Sequence, residues 1–206
     1  PEEIEAAVLA AEDWGTYVCA HVYTPRGIQR CLKAGVKSIE HGQLVDEDTV
    51  RMMADSGAVW SIQPFVEALS NPNKPEAMKI KEKLLWDGTD TAYLLAIKHA
   101  VPTGWGSDIL FDAAAAENQG RNLSYMARWY TPAQALKQAT ADNAFILGLS
   151  GPRNPYPGGL GVIRQGAHAD LLLVEGDPTE NLELVADPDR NFKIIMKAGT
   201  IHKNTL

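Results

Sequence analysis

Four times within about 150 residues, a short apolar run ends in polar side chains and gives way to a helix-forming stretch. The runs are residues 16–21 (TYVCAH), 37–41 (KSIEH), 58–64 (AVWSIQP) and 101–108 (VPTGWGSD). Parallel neighbours in a sheet need a crossover connection, and a helix is its compact form, so this alternation predicts a parallel sheet with crossover helices. The helical stretches carry their own boundary marks. Residues 1–14 open with Pro and acids and space Ile4, Val8 and Ala11 along one face. Thr24 with Pro25 opens the next and Gly35 closes it; residues 46–57 run from an acidic start to Gly57. A long helix is predicted from about Glu76 to His99, and another from Thr131 throughout to Gly148. Residues 65–75 hold two Pro and two Asn and read as a loop, and 109–130 read as irregular.

After the Pro/Gly-rich residues 152–161 the rhythm changes. GVI, ADLLLVEGDP, FKIIMKAG and TIHK are short β segments joined by turns, which predicts a small antiparallel second module. The fold class is therefore α/β, with one domain over residues 1–150 and another over 151–206.

Composition excludes some partners. Nineteen basic against 26 acidic residues give 19 − 26 = −7, with no Lys/Arg run to make a phosphate-binding patch, so no nucleic-acid partner is expected. No stretch of about 18 apolar residues is present to span a membrane. Cys19 and Cys31 are too few for a disulfide framework and read as buried thiols.

In parallel α/β folds the chemistry gathers at the carboxyl ends of the strands. Three of the four ends here offer metal-type ligands, His21, His41 and Asp108, while the third run ends in Gln63 and Pro64. Two imidazoles and a carboxylate suit zinc, which lowers the pKa of bound water to about 7 while a nearby carboxylate takes the proton. A metal site, a hydrogen-bonded structural arrangement and a metal-free acid–base pair all remain open on this pattern. His99 reads as a helix cap, His168 and His202 as solvated, and Glu40 as the partner of a neighbouring helix.

With these residues in view, the stretches 20–42 (AHVYTPRGIQRCLKAGVKSIEHG), 104–108 (GWGSD), 131–149 and 161–178 (GVIRQGAHADLLLVEGDP) resemble the amidohydrolase superfamily. The likeness is to its imidazolonepropionase-like and Xaa-Pro dipeptidase-like branch, in order over essentially the whole chain. The resemblance implies a (β/α)8 TIM-type barrel holding one or two divalent metals, zinc by preference. It also implies that His21 and His41 are the metal ligands of strands 5 and 6. Asp108 is then the strand-8 aspartate that contacts metal and moves the proton of the attacking water, and Tyr23 contacts a substrate carboxylate. The family's strand-1 His-x-His is nowhere in the chain, and its strand-4 lysine would precede residue 1. The resemblance thus reads as the C-terminal half of the barrel over residues 1–150 and part of a small β-sandwich over 151–206.

Four strands of such a barrel leave two unpaired edges, so association with a second copy or with an N-terminal half is expected. The expected reaction of the intact protein is hydrolysis of an amide-type C–N bond in a small amide or dipeptide, such as Xaa-Pro or related N-blocked dipeptides. These 206 residues alone are expected to be inactive. A cyclic amide or imidazolone substrate, and a non-catalytic barrel-derived assembly module, are the alternatives. Residues 65–75 and 109–130 would line the pocket, with Arg121 either meeting a carboxylate or lying on the surface.

Overall fold

The four apolar runs form the strands β1 (Cys19–Val22), β2 (Ser38–His41), β3 (Val59–Ile62) and β4 (Thr103–Trp105), hydrogen-bonded in that order as one parallel sheet. The computed structural model describes residues 1–67, 75–109, 113–156 and 158–206, and most of the expected 65–75 loop lies outside them. The chain divides into two compact units, Pro1–Gly106 with Ile146–Asn154, and Ser107–Phe145 with Pro155–Leu206.

In the first unit the strands alternate with α1 (Glu2–Asp13), α2 (Pro25–Lys33), α3 (Glu47–Ser56) and α4 (Glu76–Lys98). Register sorts the sheet into two faces, because parallel partners point the same way. Cys19 pairs with Ser38, His21 with Glu40, and Glu40 with Ser61, giving one polar face. Ala20, Val22, Ile39, Trp60 and Ile62 make the other, and helices cover it. Helix α2 lies so close that a Cβ at Gly27 would meet Val22 Cγ2 at 2.5 Å. The Tyr93 hydroxyl of α4 donates to the Ile62 carbonyl at 3.0 Å. Ile39, Trp60 and Ile62 are fully buried, worth about 1.5–3 kcal/mol each. Hydrophobic burial against the helices therefore holds this sheet together.

The helix boundaries follow their caps. Asp46 accepts from the Thr49 amide at 2.9 Å and starts α3. Thr24 occupies the same position before α2 without a side-chain cap bond, leaving Pro25 to begin the helix. Glu47 in the first turn of α3 accepts from Lys98 at 2.7 Å and meets His99 Nε2 at 2.9 Å, so His99 both ends α4 and ties it to α3.

In the second unit, the stretch expected to be irregular is largely helical: α5 (Ala113–Ala116), α6 (Gln119–Ser124) and a 3-10 turn over Tyr125–Arg128. Its small polar composition hid an inward face made of Asn122, Leu123, Ser124 and Met126. Arg121 is half-exposed and paired with Glu183. The segment after the Thr131 capping box is α7 (Pro132–Lys137), a π-helical turn over Gln138–Asp142 and α8 (Asn143–Gly148), which carries the chain across the division between units.

The antiparallel sheet is β5 (Leu171–Val174), β6 (Phe192–Lys197) and β7 (Thr200–Asn204), with α9 (Pro188–Asn191) leading into β6. The expected GVI strand is absent: Gly161 and Val162 form a bend, and Ile163 after them is 92% exposed, with no burial to hold it extended. Of the thiols, Cys31 is buried but Cys19 is exposed, because it sits on the polar face of the edge strand β1. Among the described residues no helix is long and apolar enough to cross a membrane.

Candidate functional site

His21 lies on β1 and His41 ends β2, and the register sets His41 beside Val22, on the helix-covered face away from His21. Strand alternation alone would keep the two imidazoles apart. His41 breaks that alternation: its φ is 76°, in the left-handed region that a side chain of this size rarely adopts. Beyond the break, His41 Nε2 stands 2.8 Å from His21 Nδ1, with ring centroids 4.2 Å apart. One ring nitrogen donates and the other accepts.

The strain at His41 costs about 1–3 kcal/mol and is held from several sides. Trp60 Nε1 donates to the His41 carbonyl at 2.7 Å, and the Gly42 amide donates to Val22 O at 2.9 Å. Gly42 continues the turn at φ 76°, and a Cβ there would lie 2.7 Å from Trp60 Nε1. Only glycine allows both that backbone and that approach.

Tyr23 stacks on His41, centroids 4.7 Å apart at 17°, and meets His21 edge-on at 5.2 Å. Phe65 lies parallel to His41 at 6.1 Å. His41 is 3% exposed, Tyr23 half-buried and His21 open, so the pair has one covered ring and one accessible ring. At the end of β3, the buried Gln63 donates to Ser61 O at 3.3 Å and its carbonyl accepts from Gln43 Nε2 at 3.2 Å.

Among the described residues, Glu40 finds its hydrogen-bond partner within its own strand and not on a neighbouring helix. It lies on the polar face with His21 and accepts from Ser38 Oγ at 2.6 Å. Partial desolvation pushes the Cys19 thiol and the Tyr17 hydroxyl up, and the Glu40 carboxylate adds to both shifts. Asp108 follows β4, belongs to the second unit, is exposed and has φ 52°. Two of the four described non-glycine residues with positive φ are thus His41 and Asp108, both of ligand type. Sequence reasoning missed Trp60 and Phe65, whose only signal was apolar character, and Gly42, whose signal was the His-Gly step closing a strand.

The two facing nitrogens suit a divalent metal with a preference for imidazole, at the strand ends where parallel α/β folds gather ligands. The pair is a partial donor set, since among the described residues no group of three or more His, Cys, Asp or Glu side chains could hold a metal ion.

A model of the amidohydrolase family matches residues 1–202. The ochratoxinase of Aspergillus niger is 29% identical over 209 residues, covering 98% of this chain and 41% of its own. Its crystal structure superposes with a TM-score of 0.82, over 100% of this chain and 46% of that one. A prolidase solved with N-methylphosphonate-L-proline is 32% identical at a TM-score of 0.86, over 98% of this chain and 49% of that one. A Xaa-Pro dipeptidase with bound methionine is 26% identical at a TM-score of 0.81, over 98% of this chain and 48% of that one. The chain thus spans under half the length of these relatives. With the family match running from the first residue to the last strand, this chain belongs to the amidohydrolase family.

Proposed function

We propose that this chain supplies the second half of the active site of a metal-dependent hydrolase that cleaves an amide-type C–N bond in Xaa-Pro or related N-blocked dipeptides. The observation that carries the reading is the 2.8 Å approach of His41 Nε2 to His21 Nδ1 at the carboxyl ends of adjacent parallel strands. The substrate class follows the relatives whose names are prolidase and Xaa-Pro dipeptidase.

His21 and His41 would hold a divalent ion, zinc fitting the nitrogen donors, with the remaining ligands drawn from residues beyond this chain. Such an ion, when bound, activates water and polarises the scissile carbonyl. Asp108 would be the base, one Oδ accepting the proton of the attacking water as its oxygen bonds the carbonyl carbon. The resulting carboxylic acid would then give that proton to the departing nitrogen. Tyr23, held by stacking on His41, would donate its hydroxyl to the substrate carboxylate. The outer strands of the sheet, β1 and β4, are then the places where a second copy or an N-terminal half would pair.

The test uses the full-length protein with Xaa-Pro dipeptides, reading zinc content and proline release. The expected result is hydrolysis that drops at least about 100-fold in Asp108→Asn, and zinc loss in His21→Ala and His41→Ala. Hydrolysis and zinc content unchanged in all three variants would overturn the proposal.

A further inference from the structure

The break at His41 has to be held against the strand, and the described contact to its carbonyl comes from the neighbouring strand. Trp60 is fully buried, its indole lies under the His41–Gly42 turn, and Nε1 reaches the His41 carbonyl at 2.7 Å. The absence of a side chain at Gly42 is what lets the indole come so near, since a Cβ there would sit 2.7 Å from Nε1 and 3.0 Å from Cε2. A peptide carbonyl tethered in this way cannot rotate back to the extended strand without leaving the indole N–H unpaired in the core. The extended alternative would return His41 to the face it shares with Val22.

We propose that Trp60 is a positioning residue: its N–H···O=C bond fixes the left-handed turn at His41 and so aims the His41 imidazole at His21. This rests on the reading of His21 and His41 as a metal-binding pair. The tryptophan touches neither substrate nor ion. It acts through the backbone of its neighbour, and it does so from the helix-covered side of the sheet while the imidazoles meet beyond the strand end.

The experiment replaces Trp60 with benzothienylalanine, which keeps the fused ring shape and puts a sulfur in place of the N–H donor, and adds Tyr93→Phe as a control. Tyr93 is also fully buried, and the substitution removes its bond to the Ile62 carbonyl. Two readouts are taken on the full-length protein. The first is the 15N spectrum of the two imidazoles without metal; the second is affinity for Zn2+ by competition titration. The isostere is expected to change the signals of His21 Nδ1 and His41 Nε2 and to weaken Zn2+ binding about tenfold or more, while Tyr93→Phe moves neither. An isostere with unchanged nitrogen signals and unchanged Zn2+ affinity would overturn the role of Trp60, as would equal changes in Tyr93→Phe. If His41→Ala leaves Zn2+ affinity untouched, the metal reading falls, and the metal-free nitrogen signals alone decide the positioning role.

Discussion

β2 and β3 each bury three of their four residues, whereas no residue of β5, β6 or β7 is fully buried. The parallel strands are covered by helices on their apolar face, with the aliphatic and indole side chains of Ile39, Trp60 and Ile62 packed there. The antiparallel strands leave Leu172, Leu173 and Ile201 at 55%, 47% and 49% exposure. In the second sheet a polar side chain costs little wherever it falls. In the first, a buried polar group such as His41 persists only where partners and backbone are arranged for it. That contrast singles out the held polar group of the parallel sheet, the His41 imidazole.

The largest test of the contrast is truncation. Ile39→Ala should cost about 2–5 kcal/mol in urea unfolding, and Leu172→Ala about 0.5 kcal/mol. Comparable losses at the two positions would break the comparison. Backbone placement gives a smaller, sharper test. Gly42→Ala meets both a positive φ and the Trp60 ring, and should cost about 2–4 kcal/mol. Gly199→Ala, in the turn between β6 and β7, has a φ of 79° but open space around it, and should cost about 1 kcal/mol. If the two cost the same, the indole is not packed against the turn as described.

The smallest effect is electrostatic. Hydrogen bonds from Lys98 and then His99 pull the Glu47 carboxyl down from the ordinary 4.5 to about 2. A carboxyl lowered on folding contributes stability above its ordinary pKa and loses it as pH falls through the folded value. The thermal midpoint should therefore drop between about pH 4.5 and pH 2, and Glu47→Gln should flatten that drop. In the second unit Lys193 lowers Glu175 in the same direction from an exposed site, so Glu175→Gln should flatten the curve less. A larger effect from Glu175 would reverse the expected ranking.

The strands of both sheets were legible because their apolar runs are short and bounded, as in LLLV and FKIIMK. GVI looked the same and is not a strand, because three apolar-compatible residues do not make one unless something covers Ile163. Helix α6 went unread for the opposite reason. Its inward face is built from Asn122 and Ser124 as well as Leu123, and polar residues leave no periodic trace. At the candidate site, the ligand-type residues at strand ends were legible, since position in the repeat marks them. The meeting of His41 with His21 was not, since alternation by itself directs His41 to the face of Val22.

In the repeating strand–helix part, the sequence by itself determined the order of strands and helices and which residues end the strands, because burial, capping and turn chemistry are local and recur with each repeat. Only the tertiary structure decided where the His41 imidazole points. A φ of 76° is unfavourable for an isolated histidine and is held by Trp60, 19 residues away, through a hydrogen bond and a close approach that glycine at 42 permits. The windows of about 11–18 residues over which sequence periodicity is read do not contain both partners of that contact.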